Sequence, residues 1–430
     1  MARVIVVNRS PPVIVRPSSK SAVPPTRVTE KLSSFDKPYA LSLVTSFLVF
    51  EHPVHDAANT VKKALSQALV YYYPFAGRII VADDGECHVR CHDEGATFVA
   101  ATANCTLEDA RLLEVSNGET MTSTLLDDLT VYSPAESYCP GDPLLLMQVT
   151  KFNCGGFVMG VIWNHGIADG EGMAQFLRAV GELACGFPSP SVIPARWDAS
   201  LPSLRPSILE LVASPEPLNL TRLGISIPLT SINRIKAEFR ERSNGQMCTM
   251  FEAVAAVLWQ CRTRAIISDP ESMALLSFAV NMRKHVGAKD GYYGNCVATQ
   301  QVMARSGALV DADIVDIVKM IKRAKDEAVQ PDQKDGVCEM IRAMDQQQRD
   351  GLPYNTLLLS SWRNIGFEEP DFGGGTPERV MCYLSPLQGY PPVCVINLPC
   401  KGKDGPSNAF AVCVKEEHAD AFVAELARFT

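Results

Sequence analysis

A proline-rich segment near the middle of the chain sets the first constraint on its fold. Residues 186–207 read GFPSPSVIPARWDASLPSLRPS and contain five prolines without a helical or strand period. Such a stretch is typical of a linker. It divides the 430 residues into parts of similar size, as two domains of ordinary length would require. We therefore predict an N-terminal domain over 1–185 and a C-terminal domain over 208–430.

Periodic apolar residues predict helices and strands in both parts of the chain. Asp56, and Thr249 together with Glu252, match the N-terminal caps of helices. Because both halves mix the two kinds of element, we expect the α/β or α+β class with two sheet-based domains. Helices are expected at 57–70, 171–185, 250–264, 311–328 and 416–428, and strands at 41–50, 144–152, 156–163, 275–281, 295–303, 393–398 and 409–414.

The charge balance argues against nucleic-acid binding. There are 40 Lys and Arg against 48 Asp and Glu, for a formal net charge of −8, whereas phosphate binding needs dense basic side chains. No targeting segment stands out, and the apolar run LSLVTSFLVF is about half the length that spans a bilayer. We expect a soluble, cytoplasmic, monomeric protein with no membrane partner.

One cluster, ECHVRCH, could suggest a metal site. Zinc needs about four convergent ligands, and Cys87, His88, Cys91 and His92 offer four. The sequence alternates as a strand does, so the cysteines share one face and the histidines the other. Four side chains divided in this way cannot converge on one ion, and we predict no metal. The fourteen cysteines are expected to be reduced and mostly buried.

The segment from Gly155 to Leu177 is the most suggestive for chemistry. It reads as an apolar strand, a glycine-rich turn and an amphipathic helix, with His165 where the strand stops and Asp169 four residues later. The chain contains a second H-x-x-x-D, formed by His52 and Asp56, so the spacing alone does not identify the catalytic histidine. A partly buried imidazole stays neutral and can accept a proton. His165 is therefore either a general base or a core histidine.

Asp169 has two interpretations. It could orient His165 directly, as the acid of a catalytic triad does. It could instead point away and pair with an arginine that anchors the turn. Arg283, at the end of another apolar strand, is the best candidate because a buried charge needs a partner. The sequence leaves both open.

Several segments together resemble the plant BAHD acyltransferases, which use acyl-CoA. The resemblance spans nearly the whole chain and keeps the family's order, which makes it far more specific than H-x-x-x-D alone. It includes LSSFDKP, YYYPFAGRI, NHGIADG, TMFEAVAAVLWQCRTRA, AVNMRKH, GYYGNCV, SSWRNIGF and DFGGG. The family fold that it implies has two similar chloramphenicol-acetyltransferase-like domains with a tunnel at their interface. The N-terminal domain would be completed by a segment near 370–400.

The resemblance implies roles for individual residues. His165 matches the family's general base, while Asp169, with Gly170 after it, and Arg283 match the pair that supports the catalytic turn. The structural motif D-F-G-W-G is matched by Asp371, Phe372, Gly373 and Gly375, but Gly374 stands where the family has Trp. Any substrate wall that the indole provides is then absent or comes from elsewhere.

Acyl-CoA is the co-substrate that the resemblance implies, and no permanently bound cofactor is expected. CoA carries phosphates, so an acidic protein needs a local anion site. The capped helix start at Thr249 is one candidate, and a plain helix cap is the alternative. Arg262, Arg264 and Arg283 could also contribute, or could form ion-paired faces.

The resulting interpretation is an enzyme that transfers an acyl group from acyl-CoA to a small alcohol or amine. The sequence looks like cereal members of the family that use aromatic donors, so we expect a benzoyl or hydroxycinnamoyl donor and acceptors such as tryptamine. Two alternatives remain: a thioester hydrolase in which His165 activates water, and an inactive relative that binds small molecules.

Overall fold

The computed structural model describes most of the chain and places strands and helices in both halves. The described residues are 4–18, 28–83, 85–113, 123–131, 138–202, 218–327, 346–383, 391–399 and 407–429. Residues 203–207 of the proline-rich segment and 384–390 of the segment near 370–400 lie outside them.

The strands and helices are numbered here in chain order. The strands are β1 Val7–Arg9, β2 Val13–Val15, β3 Val28–Lys31, β4 Leu43–Phe50, β5 Arg78–Val81, β6 Cys87–Cys91, β7 Ala96–Ala103, β8 Leu145–Lys151, β9 Phe157–Asn164, β10 Leu220–Ile227, β11 Met273–Asn281, β12 Val297–Arg305, β13 Thr356–Ser361, β14 Arg379–Tyr383, β15 Val393–Ile396 and β16 Ser407–Lys415. The helices are α1 Ala57–Tyr71, α2 Ser123–Asp128, α3 Gly170–Ala184, α4 Leu229–Arg242, α5 Met250–Ile266, α6 Arg283–Val286, α7 Ser306–Asp311, α8 Ile314–Glu327, α9 Gln346–Asn355 and α10 Glu416–Leu426.

The first large sheet has the order β1–β7–β8–β9–β4–β14, with β2 also paired to β7. Only the β7–β8 pairing is parallel. Every residue of β9 is buried, which explains its nearly continuous apolar sequence. Helices α1 and α3 lie against each other, and their apolar stripes join the core of this sheet.

The second large sheet has the order β10–β16–β15–β13–β11–β12. Its pairings β11–β13 and β13–β15 are parallel and the others antiparallel. Helices α5, α8 and α10 contribute apolar residues to its core, and α5 is buried almost all round. A small antiparallel sheet has the order β3–β6–β5, and its buried residues Ile79, Val89 and Cys91 belong to the core of the first large sheet. The mixed α/β class expected from the sequence is confirmed.

One strand from the C-terminal half joins the first sheet. Strand β14 pairs antiparallel with β4, placing Val380 opposite Leu48 and Cys382 opposite Ser46. The chain therefore returns to the first sheet after it has contributed β10 to β13 to the second sheet and before it contributes β15 and β16. The domain limits 1–185 and 208–430 and the tunnel between domains stay predictions.

The five predicted helices and seven predicted strands are present, with ends that differ by up to three residues. Asp56 occupies the N-cap position of α1, as predicted, but its side chain makes no cap hydrogen bond and accepts instead from Asn59 Nδ2 at 2.6 Å. Asp56 lies in the left-handed region, with φ 45°, whereas an N-cap whose side chain accepts from the first turn is typically extended. Among the described residues, no helix has the length and apolar character needed to cross a membrane.

Candidate active site

The turn after β9 is held by side-chain hydrogen bonds of Asn164, the last residue of that strand. Asn164 Oδ1 accepts from Gly166 N at 2.8 Å, while Asn164 Nδ2 donates to Ala40 O at 2.8 Å. A Cβ at Gly166 would lie 2.9 Å from Ala40 Cα, so this close approach requires glycine. The backbone N–H of His165 donates to Ser42 O at 2.7 Å. His165 is therefore fixed at the backbone level where the strand ends.

The imidazole of His165 is held on one edge and one face. Its Nδ1 lies 3.0 Å from Asn295 Oδ1, and the ring of Tyr39 stacks on it at 4.3 Å and 20°. The side chain is half-buried, and burial lowers its pKa. Within the described part of the chain, no group hydrogen-bonds Nε2. The ring is thus neutral near pH 7, and it presents a free nitrogen.

A buried network lies behind the imidazole. Asn295 Nδ2 donates to His165 O at 2.7 Å and to Asp36 Oδ1 at 2.9 Å. The other Asp36 oxygen pairs with Arg196 Nη2 at 3.0 Å, and both charged side chains are almost fully buried. Arg196 also donates to Gly166 O at 3.1 Å. The network joins four separate parts of the chain at one turn.

Sequence reasoning missed Asp36, Asn295, Arg196 and Tyr39. Asp36 and Asn295 lie in LSSFDKP and GYYGNCV, two of the segments that carry the family resemblance. Asn295 is 130 positions from His165, and no spacing rule relates residues so far apart. The resemblance could have identified them as candidates, but without a partner or a role.

Asp169 faces away from the imidazole. Its Oδ1 accepts from Arg283 Nη2 at 2.8 Å and from Gly172 N at 3.0 Å, and its Oδ2 accepts from Cys296 N at 3.0 Å. Asp169 is therefore the N-cap of α3 and the partner of Arg283. Burial alone would lower the pKa of Arg283, but the carboxylate of Asp169 raises it. Of the two interpretations of Asp169, the geometry is that of the arginine pair.

Gly170 and Gly172 begin α3 where it meets other segments closely. A Cβ at Gly170 would lie 2.8 Å from Ile365 Cδ1, and one at Gly172 would lie 1.9 Å from Tyr293 O. The second distance is impossible for a side chain, so the backbone of α3 can approach residue 293 only through glycine. This approach brings the segment with Asn295 next to the turn with His165.

The glycine-rich loop 371–375 packs against the first sheet near Phe50 and Phe157. Asp371 Oδ1 accepts from Gly373 N at 2.7 Å and from Gly375 N at 2.9 Å, and both glycines have positive φ. Phe372 packs edge-on against Phe50 and Phe157. Asp371, Phe372, Gly373 and Gly375 thus form a self-supporting turn on the first sheet.

The loop 371–375 and His165 lie at opposite ends of β9. Phe157 begins β9 and His165 follows its other end, and seven steps of a strand span about 23 Å. A Cβ at Gly374 would meet Val54 Cγ2 at 2.9 Å, on the side remote from the imidazole. Gly374, which stands in place of the family Trp, therefore lies away from the imidazole of His165.

The helix start at Thr249 already carries an anion. Thr249 Oγ1 accepts from Glu252 N, and Glu252 Oε2 accepts from Thr249 N at 2.7 Å, a complete capping box. Burial alone would raise the pKa of Glu252, but hydrogen bonds from Lys325 and from the Thr249 backbone lower it. Glu252 thus satisfies the positive end of α5, and the geometry favours a helix cap over a CoA contact.

The three arginines considered for CoA binding do not converge. Arg262 is fully buried and donates to Cys413 O at 2.7 Å and to Tyr354 O. Arg264 donates to Val310 O at 2.7 Å, and Arg283 is held by Asp169. Each of the three guanidinium groups is thus engaged by other groups of the chain, an arrangement closer to the alternative of paired arginines than to a contribution to CoA binding.

The cysteine and histidine cluster forms strand β6. Val89 and Cys91 are buried, while Cys87, His88 and Arg90 are half-buried. Within the ranges that the structure describes, no group of three or more His, Cys, Asp or Glu side chains is placed to hold a metal ion.

Comparison with known proteins gives matches along nearly the whole chain. The sequence profile of the Transferase family matches residues 12–428. The chain is 44% identical over 447 residues to Acyl transferase 15 of Oryza sativa subsp. japonica, covering 99% of this chain and 98% of that one. It is 30% identical to myricetin 3-O-glucosyl 1,2-rhamnoside 6'-O-caffeoyltransferase AT1 of Crocosmia x crocosmiiflora, covering 99% of each.

Two further matches extend the comparison. The chain is 32% identical to 3'-N-debenzoyl-2'-deoxytaxol N-benzoyltransferase of Taxus canadensis, over 87% of this chain and 84% of that one. Its fold is similar to the crystal structure of vinorine synthase, with a TM-score of 0.76, 20% identity, and coverage of 99% of this chain and 98% of that one.

Proposed function

Because this chain belongs to the Transferase family, the BAHD acyl-CoA-dependent acyltransferases, we propose that it transfers an aromatic acyl group to an alcohol or amine with His165 as general base. Two relatives, named for caffeoyl and benzoyl transfer, support an aromatic donor. One is named for an oxygen acceptor and the other for a nitrogen acceptor, so both classes belong to the proposal.

The state of the His165 imidazole is the observation that carries the proposal. The ring is neutral because burial lowers its pKa. Its Nδ1 is engaged by Asn295, and no described residue hydrogen-bonds its Nε2. A neutral imidazole with one free nitrogen can accept a proton. Tyr39 stacks on the same ring, and burial raises the tyrosine pKa to about 12. The phenol therefore stays uncharged beside the base.

The chemistry follows from that nitrogen. His165 Nε2 removes the proton of the acceptor O–H or N–H while the acceptor attacks the thioester carbonyl. A new C–O or C–N bond forms, and the carbonyl becomes a tetrahedral oxyanion. Collapse of this intermediate breaks the C–S bond, and the imidazolium returns the proton to the departing CoA sulfur. No acyl-enzyme is needed, so the scheme requires no nucleophilic Ser or Cys.

A substrate panel tests the proposal. The purified chain is incubated with benzoyl-, 4-coumaroyl-, caffeoyl- and acetyl-CoA, each with and without an alcohol or tryptamine. Thiol release is followed together with mass spectrometry of the ester or amide. We expect release that depends on the acceptor and is at least about tenfold faster with an aromatic donor, a difference of about 1.4 kcal/mol. Equal release without acceptor would show a hydrolase, and no release at all would show an inactive relative.

His52 offers a matched control within the same panel. It begins the second H-x-x-x-D of the chain and is exposed. We expect His52→Ala to keep the rates of the unmodified chain, because the His52 side chain is exposed to solvent and is therefore not desolvated as a buried base is. Loss of transfer in His52→Ala comparable with that in His165→Ala would contradict the assignment of the base.

A further inference from the structure

The side-chain amide of Asn295 has one orientation that satisfies its surroundings. Its NH₂ group donates to two oxygens that can only accept, Asp36 Oδ1 at 2.9 Å and His165 O at 2.7 Å. The reversed amide would set its own oxygen against both acceptors and lose two buried hydrogen bonds, each worth about 1 kcal/mol. Asn295 Oδ1 therefore faces the imidazole.

This orientation decides which ring nitrogen of His165 carries the proton. A carbonyl oxygen cannot donate, so the ring nitrogen 3.0 Å from Asn295 Oδ1 must donate. The proton is then on Nδ1 and the lone pair is on Nε2. Only this tautomer lets a neutral His165 act as a base at Nε2.

Asp36 is fixed in turn as an acceptor on both of its oxygens. Oδ1 accepts from Asn295 N and Nδ2, at 3.2 and 2.9 Å. Oδ2 accepts from Ser33 N at 3.1 Å, from Ser33 Oγ at 2.6 Å and from Arg196 Nη2 at 3.0 Å. Five donors therefore surround this one buried carboxylate, and the Arg196 guanidinium balances its charge.

We propose that Asp36 sets the tautomer of His165 through the amide of Asn295, so that Asp36 and Asn295 are positioning residues for acyl transfer. This inference rests on the proposed role of His165 as base. It assigns to Asp36 the task that the triad aspartate performs by direct contact with a histidine. Here the carboxylate acts across one amide, and the aspartate of H-x-x-x-D, Asp169, takes no part.

Replacing Asp36 by asparagine tests the relay with a minimal change of shape. The new amide must turn its oxygen to Arg196, because a guanidinium can only donate. Its NH₂ group then faces the NH₂ group of Asn295, which favours reversal of the Asn295 amide, while the bond from Asn295 to His165 O alone opposes it. Reversal sets an NH₂ group against His165 Nδ1 and favours the Nε2–H tautomer, which has no lone pair for the acceptor.

The experiment records ring ¹⁵N shifts of ¹⁵N-histidine-labelled full chain, assigned to His165 by comparison with His165→Gln, together with kcat and KM. We expect Nδ1–H in the unmodified chain. In Asp36→Asn we expect a shift towards Nε2–H, a fall in kcat of about 10²–10⁴, and KM values within about twofold. An unmodified chain with Nε2–H, or an Asp36→Asn variant with unchanged tautomer and kcat, would overturn the inference.

Two further variants keep the test decisive if Asp36→Asn does not fold. Asn295→Ala leaves the Asp36–Arg196 pair in place but removes the oxygen that holds Nδ1–H, so the tautomer preference and kcat should both fall. Gln148→Ala removes another buried amide, which contacts Asp128 O and Thr150 Oγ1 and not the imidazole, and should alter neither. An Asn295→Ala variant that matches Gln148→Ala in both readouts would overturn the inference.

Failure of the inference is distinguishable from failure of the proposed function. If His165→Ala retains transfer, the base assignment fails whatever the ring shifts show. If His165→Ala is inactive while Asp36→Asn keeps both tautomer and rate, only the relay through Asn295 is refuted.

Discussion

Arg283 Nη2 lies 2.8 Å from Asp169 Oδ1, and this contact fastens the start of α3 to the residues that follow β11. The side chains are 12% and 4% exposed, so the charges depend on each other. The same carboxylate caps α3 through Gly172 N and receives Cys296 N. The ion pair thus holds together the two segments that carry His165 and Asn295.

Arg283→Ala is expected to lower the free energy of unfolding by about 3–5 kcal/mol, because it leaves the Asp169 carboxylate buried without its partner. Urea unfolding measures the change. Arg242→Ala is the matched control: its pair with Asp313 is 2.7 Å long, but the side chains are 40% and 49% exposed, and the loss should be at most about 1 kcal/mol. Equal losses in the two variants would contradict a structural role for the Asp169 pair.

Alanine substitutions at Gly172 and Gly374 are expected to differ in their effects, because a Cβ would meet a backbone atom at Gly172 and a side-chain atom at Gly374. A Cβ at Gly172 would lie 1.9 Å from Tyr293 O, a backbone atom, so Gly172→Ala should destabilise the fold by at least about 3 kcal/mol. A Cβ at Gly374 would meet the end of the Val54 side chain at 2.9 Å, which can shift. Gly374→Ala should keep kcat/KM within about twofold. A large loss of kcat without loss of stability in Gly374→Ala would place the loop 371–375 at the active site after all.

Acid should inactivate the enzyme at a pH lower than that of an ordinary histidine. The ordinary histidine pKa is about 6.5. Burial lowers the pKa of His165, while the backbone of His165 itself, Asp169, Asn295 and Asp36 act in the opposite direction. The neutral ring is the active form, so kcat/KM should be level near pH 7 and fall only as the pH drops below about 6.5. The unfolded chain binds this proton more readily than the native one, so stability also decreases in the acid range. A midpoint above 6.5 in the pH profile of kcat/KM would contradict the effect of burial.

Thr249→Ala is expected to reduce stability without affecting CoA. Loss of the cap hydrogen bond to Glu252 N should cost about 1 kcal/mol of unfolding free energy. KM for acyl-CoA should stay unchanged, because Glu252, which is itself paired with Lys325, already satisfies this helix start. Steady-state kinetics with varied acyl-CoA provide the check. A several-fold rise in KM would restore Thr249 as a phosphate contact.

Local sequence patterns predicted much of the turn around His165. The apolar run of β9, the glycines after it and the stripe of α3 are periodic features, and periodicity reports which faces are buried. The need of a buried charge for a partner led from Asp169 to Arg283 as one of two interpretations. The strand Ala96–Ala103 was missed because its alanines and threonines give a weak apolar signal.

The hydrogen-bond network behind the imidazole could not be predicted from local sequence patterns. Asp36 and Asn295 are 259 positions apart and meet only because the two halves of the chain pack together. Strand β14 likewise crosses to the first sheet after most of the second has formed. Such contacts depend on tertiary distances, which hydrophobic periodicity and motif spacing do not encode. The family resemblance points to the segments involved, while the hydrogen bonds between them come from the structure.

The role of His165 as general base is tested by the rate of acyl transfer of His165→Ala, compared with the unmodified chain at the same acyl-CoA and acceptor concentrations. Circular dichroism first establishes that the variant is folded. We expect kcat to fall by about 10²–10⁴, because the variant lacks the nitrogen that takes the acceptor's proton. Turnover within a few-fold of the unmodified chain would contradict it.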